Sequence, residues 1–64
     1  MSTYEVKFIN VAGYDDFIYV KDSSEIGVRK QIFSAYGRVN IIKIEQVEHY
    51  NEAWVLEVVK WAHY

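Results

Sequence analysis

The chain has 64 residues, a formal net charge of −2, and neither cysteine nor proline. A chain this short makes one domain, residues 1–64, and buries only about 60% of the surface its unfolded form exposes. The lack of Cys excludes disulfides, thiolate metal sites and a thiol nucleophile, and the mild negative charge supplies no strong field for nucleic acid or an anionic membrane.

The other usual supports of a small core are a metal or a partner subunit. His49 and His63 are the only imidazoles and are too far apart in sequence for a recognisable zinc motif. Aromatic packing remains: six Tyr, three Phe and two Trp make up 17% of the residues. Aromatics dominate cores and interfaces alike, so a homodimer is one expectation. The N-terminal "MSTYEVK" is polar and carries no apolar signal region. No apolar run approaches the roughly eighteen residues of a membrane span. The expectation is a soluble, cytoplasmic chain with no membrane partner.

In chain order, "TYEVKFINV" alternates, with Tyr4, Val6 and Phe8 on one side and Glu5 and Lys7 on the other. That pattern predicts a strand with one buried face. "AGYDD" is a hairpin-type loop. "FIYVK" is apolar on both faces, which predicts a central strand or one covered on both sides. "DSSEIGVRKQIFSAYG" predicts a helix capped at Asp22 or Ser23, with Asp22 and Glu25 forming a capping box and Gly37 as the C-terminal stop. At about 100° per residue, Ile26, Val28, Ile32, Phe33, Ala35 and Tyr36 share one half of its circumference, and Gly27, Lys30, Gln31 and Ser34 share the other. Arg29 falls inside the apolar half. "RVNIIKIEQV" is a β-branched strand.

"NEAWVLEVVKWAHY" reads either way. As a strand it closes a hairpin turning near Tyr50 and Asn51; as a helix it gathers Trp54, Val55, Val58, Val59, Trp61 and Ala62 into one arc. The predicted fold is α+β, a ββαββ antiparallel sheet with one helix on one face; the alternative is ββαβα with a C-terminal helix. One helix cannot cover both faces of such a sheet, so a second copy or a foreign protein is expected on the other.

The chemistry points away from an enzyme. The glycines are isolated, and no serine has a recognisable base. Asp15 and Asp16 read as solvated turn carboxylates. No catalytic, cofactor or metal site is expected. Arg29, Lys30, Arg38 and Lys43 with the tyrosines could form a stacking surface for single strands. Charge opposes that reading: residues 1–43 hold six bases and five acids, whereas residues 44–64 hold Glu45, Glu48, Glu52 and Glu57 against Lys60 alone. Direct nucleic-acid binding is therefore not the leading expectation. Arg29 reads as a snorkelling side chain or as an interface anchor beside aromatics. The candidate protein-binding residues are Arg29, Tyr36, Arg38, Trp54, Trp61 and Tyr64.

Strands, then "SSEIGVRKQIFSAYG", then "RVNIIKIEQV" and a closing hairpin resemble the small αβ proteins that tailed phages make to disable host machinery. The layout is similar to the short inhibitor of host RNA polymerase in coliphages, and more similar to a small type I-F anti-CRISPR protein. The resemblance lies in element order and carries no residue roles. It implies a non-enzymatic host-takeover inhibitor that occupies a surface of a host protein or ribonucleoprotein complex. The rival expectations are a self-associating assembly protein and a nucleic-acid-binding accessory protein.

Overall fold

The alternation of the first segment becomes β1 (Ser2–Ile9), with Val6 and Phe8 fully buried on one face. This computed structural model describes residues 1–56. β1 is followed by β2 (Asp15–Asp22), α1 (Glu25–Tyr36), β3 (Asn40–Val47) and a 3-10 turn over Glu52–Trp54. The sheet order is β2-β1-β3, antiparallel throughout, so the described residues form a ββαβ α+β layout with the helix between β2 and β3. β1 is the central strand, not β2. The other reading of the two apolar faces of β2 holds: Ile18 and Val20 face the core, and Phe17 and Tyr19 meet Trp54 and Tyr50 of the segment that crosses the second face.

Register places Tyr4 opposite Val20, Val6 opposite Ile18 and Phe8 opposite Asp16. On β3, Val6 meets Ile44 and Phe8 meets Ile41, with a bulge between Lys7 and Phe8 that leaves Ile42 unmatched. Val6, Phe8, Val20, Val28 and Ile32 form the fully buried core, and Ile18, Ile41, Ile44 and Leu56 pack around it. Each fully buried side chain of this kind contributes roughly 1.5–3 kcal/mol.

The helix is rotated from the face its apolar residues suggest. Only Val28 and Ile32 are buried; Phe33 and Tyr36 are partly exposed and Ile26 is 68% exposed. Gln31, from the polar half, turns inward. Its amide donates to the Lys21 carbonyl at 3.0 Å and to Asp22 Oδ2 at 2.7 Å. Asp22 also accepts from the backbone N–H groups of Ser23 at 2.6 Å and Ser24 at 3.3 Å. It therefore organises the entry to the helix without capping it. The cap is Ser24, whose hydroxyl accepts from the Gly27 N–H at 3.2 Å, and the expected Asp22–Glu25 box does not form. Gly27 is required by this arrangement, because a Cβ there would collide with the Asp22 carboxylate.

At the other end Gly37 donates to the Phe33 carbonyl at 3.0 Å with φ 79° and ψ −159°. That conformation is essentially open only to glycine.

Among the described residues no hairpin follows β3. After Val47 the chain leaves the outer edge of β3, turns at Glu52–Trp54, and reaches the far edge of β2. There Val55 bridges Tyr19 in parallel and the Leu56 N–H donates to the Tyr19 carbonyl at 2.7 Å. The choice between strand and helix for the C-terminal segment falls on residues 57–64, outside the described residues. No helix among the described residues is long and apolar enough to cross a membrane.

Gly37→Val is expected to cost about 1–3 kcal/mol, because it meets a forbidden backbone region and no steric neighbour. A wild-type urea midpoint would contradict the assigned conformation. A second test concerns acid. The hydrogen bond from Gln31, then those from Ser23 and Ser24, lower the Asp22 pKa below its ordinary value of 3.8. A lowered folded-state pKa gives stability that is complete above the unfolded value and is lost as pH falls through the folded one. Wild-type urea midpoints should therefore drop more steeply below about pH 4 than those of Asp22→Asn.

Candidate functional site

Two aromatic stacks, one on each face of the sheet, flank the same end of β1. On the helix side Tyr36 stacks on Phe8, with ring centroids 5.3 Å apart and planes inclined by 30°. Burial, then the charge of Asp16, raises the Tyr36 pKa above its ordinary value, so its hydroxyl stays protonated at neutral pH. On the opposite face Trp54 stacks on Phe17 at 5.5 Å and 21°. Phe17 meets Tyr19 edge-on at 6.0 Å, and Tyr19 leans on Tyr50 at 5.8 Å. The crossing segment is thus fastened to the sheet by aromatic contacts. Its outer edge is fixed by charge: the Lys21 ammonium lies 5.2 Å from the Tyr50 ring centroid and 3.3 Å from Glu52 Oε1.

The second face, expected to be covered by a second copy or a foreign protein, is covered over β2 by the chain's own residues 50–54. The cover is incomplete. Trp54 remains 51% exposed and Phe17 41%.

Between the stacks lies a surface depression of about 290 Å³, lined by Lys7, Phe8, Asp15, Asp16, Phe17 and Ile42. Phe8 and Phe17 belong one to each stack. The bulge presents Ile42, which is 60% exposed although it sits in a strand. Apolar floor and charged rim together suit a docking side chain with a polar end. A second depression, of about 470 Å³, at the end of α1 is lined by Phe33, Arg38 and Val39.

The rest of the second face carries a charged lattice. Across the β1–β3 ladder Glu5 stands opposite Glu45 and Lys7 opposite Lys43. Like charges directly opposite are unfavourable, and relief comes along each strand instead. Lys7 reaches Glu5 at 3.8 Å and Lys43 reaches Glu45 at 2.8 Å. The tighter pair holds the Glu45 pKa below and the Lys43 pKa above the ordinary values.

Among the sequence candidates, Tyr36 and Trp54 do not line the depression themselves but stack on Phe8 and Phe17, which do. Arg38 lines the neighbouring one. Arg29 is exposed on α1, beside the buried Val28 and not at either depression. Trp61 and Tyr64 lie outside the described residues. Sequence reasoning missed Phe17, Ile42 and Phe33. Phe17 had a signal, since a strand apolar on both faces demands cover on both; Ile42 had none, because a bulge leaves no mark in "NIIKIEQV". Among the described residues no three His, Asp or Glu side chains come together as a metal-binding group.

No family model, characterised protein or solved structure matches the chain.

A double-mutant cycle of Phe17→Ala and Trp54→Ala is expected to give a coupling of about 0.5–1.5 kcal/mol in urea unfolding. Additive effects would mean that the rings do not stack in solution. Arg29→Ala should change stability by less than about 0.5 kcal/mol, as for other exposed sites. A larger loss would assign Arg29 to the fold.

Proposed function

We propose that the chain is a non-enzymatic protein-binding module of phage or mobile-element type. It acts in the host cytoplasm by occupying a surface of a nucleic-acid-processing complex, in the manner of an anti-CRISPR protein or an RNA polymerase inhibitor. The observation that carries this reading is the depression between the Phe8–Tyr36 and Phe17–Trp54 stacks. Half-exposed aromatic rings on a rigid sheet, ringed by Lys7, Asp15 and Asp16, have the composition of an interface hot spot. A side chain seated there would gain apolar area from Ile42 and Phe17 and find charges of both signs at the rim. The order of strands and helix, similar to that of phage inhibitors of host machinery, supports the source; the depression supports the mode of action.

The mode is occupancy of a surface, so affinity should concentrate in a few residues. The test is capture from nuclease-treated bacterial lysate by the tagged full chain. One dominant protein partner is expected, with Trp54→Ala weakening its binding roughly tenfold or more and exposed Lys30→Ala leaving it unchanged. Retained thermal unfolding of Trp54→Ala would be confirmed alongside. Partners lost with the nuclease would replace this reading with nucleic-acid binding. A protein partner indifferent to Trp54→Ala would move the docking site elsewhere.

A further inference from the structure

The two edges of the sheet are treated differently. On the β2 edge the chain's own Val55 and Leu56 pair with Tyr19. On the other edge β3 pairs with β1 alone among the described residues, and alternate residues of its eight turn their backbone N–H and C=O groups outward. An unpaired strand of this length is a template for another strand unless its charges or a bulge prevent pairing.

We infer that this edge is an interface between two copies of the chain, with β3 pairing antiparallel to β3 of the second copy about a two-fold axis at Ile44.

Charge selects both the occupant and the register. Residues facing each other across such a pairing must share a face, so the two-fold axis passes through a residue and not between residues. Centred on Lys43, the pairing sets Lys43 against Lys43 of the second copy. Centred on Glu45, it sets Glu45 against Glu45. Centred on Ile44, it sets Lys43 against Glu45 of the second copy and Glu45 against its Lys43. Both unlike pairs form at once, and nearly the whole of Asn40–Val47 overlaps. The like-charge arrangement that β3 meets on its β1 side, Glu5 with Glu45 and Lys7 with Lys43, is reversed on its outer side.

The side chains agree with this register. The Lys43 and Glu45 side chains are 54% and 49% exposed and lie on the same face of the strand. Ile44, partly buried on the helix face, would meet its own copy there, and the exposed Ile42 would lie opposite Gln46 of the second copy. The bulge at Ile42 leaves Lys43, Ile44 and Glu45 as the regular centre of the pairing. A two-fold of this kind joins two three-stranded sheets into one of six strands, with both helices on the same face.

The test uses the full chain in sedimentation equilibrium from micromolar to millimolar concentration. Wild type is expected to dimerise. Lys43→Glu and Glu45→Lys each create two like-charge pairs across the axis and should raise the dimer dissociation constant by roughly tenfold or more. The two single variants mixed in equal amounts should form a heterodimer, since an all-acidic edge then faces an all-basic one. The double variant K43E/E45K should dimerise as wild type does. Far-UV circular dichroism of each variant separates lost pairing from lost folding. A wild type that stays monomeric to millimolar concentration would overturn the inference and leave the charges as guards of the edge. Dimers indifferent to both single variants, or single variants that do not combine, would overturn it equally. Because Trp54 is not on this edge, partner capture can fail while the dimer stands, and the reverse.

Discussion

The arrangement depends on the Asp22 carboxylate more than on any other polar group. It ends β2, accepts the first two N–H groups of the turn, and receives the amide of Gln31 from the second turn of the helix. These contacts set the angle at which the chain leaves the sheet, and so decide which helix residues reach Val6, Phe8 and Val20. Gly27 is the other half of the constraint. Only a residue without a Cβ lets the first turn lie against that carboxylate. The apolar core then needs only Val28 and Ile32 from the helix, which releases Phe33 and Tyr36 toward the surface.

That release connects the core to the candidate site. A helix that buried its whole apolar half would bury Phe33 and Tyr36 and leave no exposed ring from α1 on the helix side of the sheet. Here Tyr36 is held by Phe8, itself fully buried, so an exposed ring rests on one that cannot move freely. Trp54 achieves the same on the opposite face through Phe17. Rings fixed in this way lose little freedom on binding, which favours a docking surface built from them.

Much of the fold was legible in the residues. The alternation of Tyr4, Val6 and Phe8, the β-branched run after Arg38, and Gly37 as a helix stop all stand in the structure. The face of the helix was not legible, because Gln31 reads as solvent-exposed until its partners at the end of β2 are known. A hydrophobic wheel has no way to represent a part-buried amide satisfied by a distant carbonyl and carboxylate. The turn at Tyr50 and Asn51 failed for a related reason. Short spacing suggested a hairpin, whereas the aromatic demand of Phe17 and Tyr19 on the uncovered face draws the chain across the sheet. Of the site, Tyr36 and Trp54 could be named from their residue types, while Ile42 depends on a bulge and Phe17 on knowing what crosses over it.

The crossing also has a temporal side. The contact of Tyr19 with Val55 joins positions separated by more than half the chain, and its loop-closure entropy is met only once β1, β2 and β3 are already together. The crossing segment is therefore expected to assemble last and to open first under native conditions. Exchange of the Leu56 amide, compared with that of Val6 at the centre of the sheet, would measure how often the second face of this protein is bare.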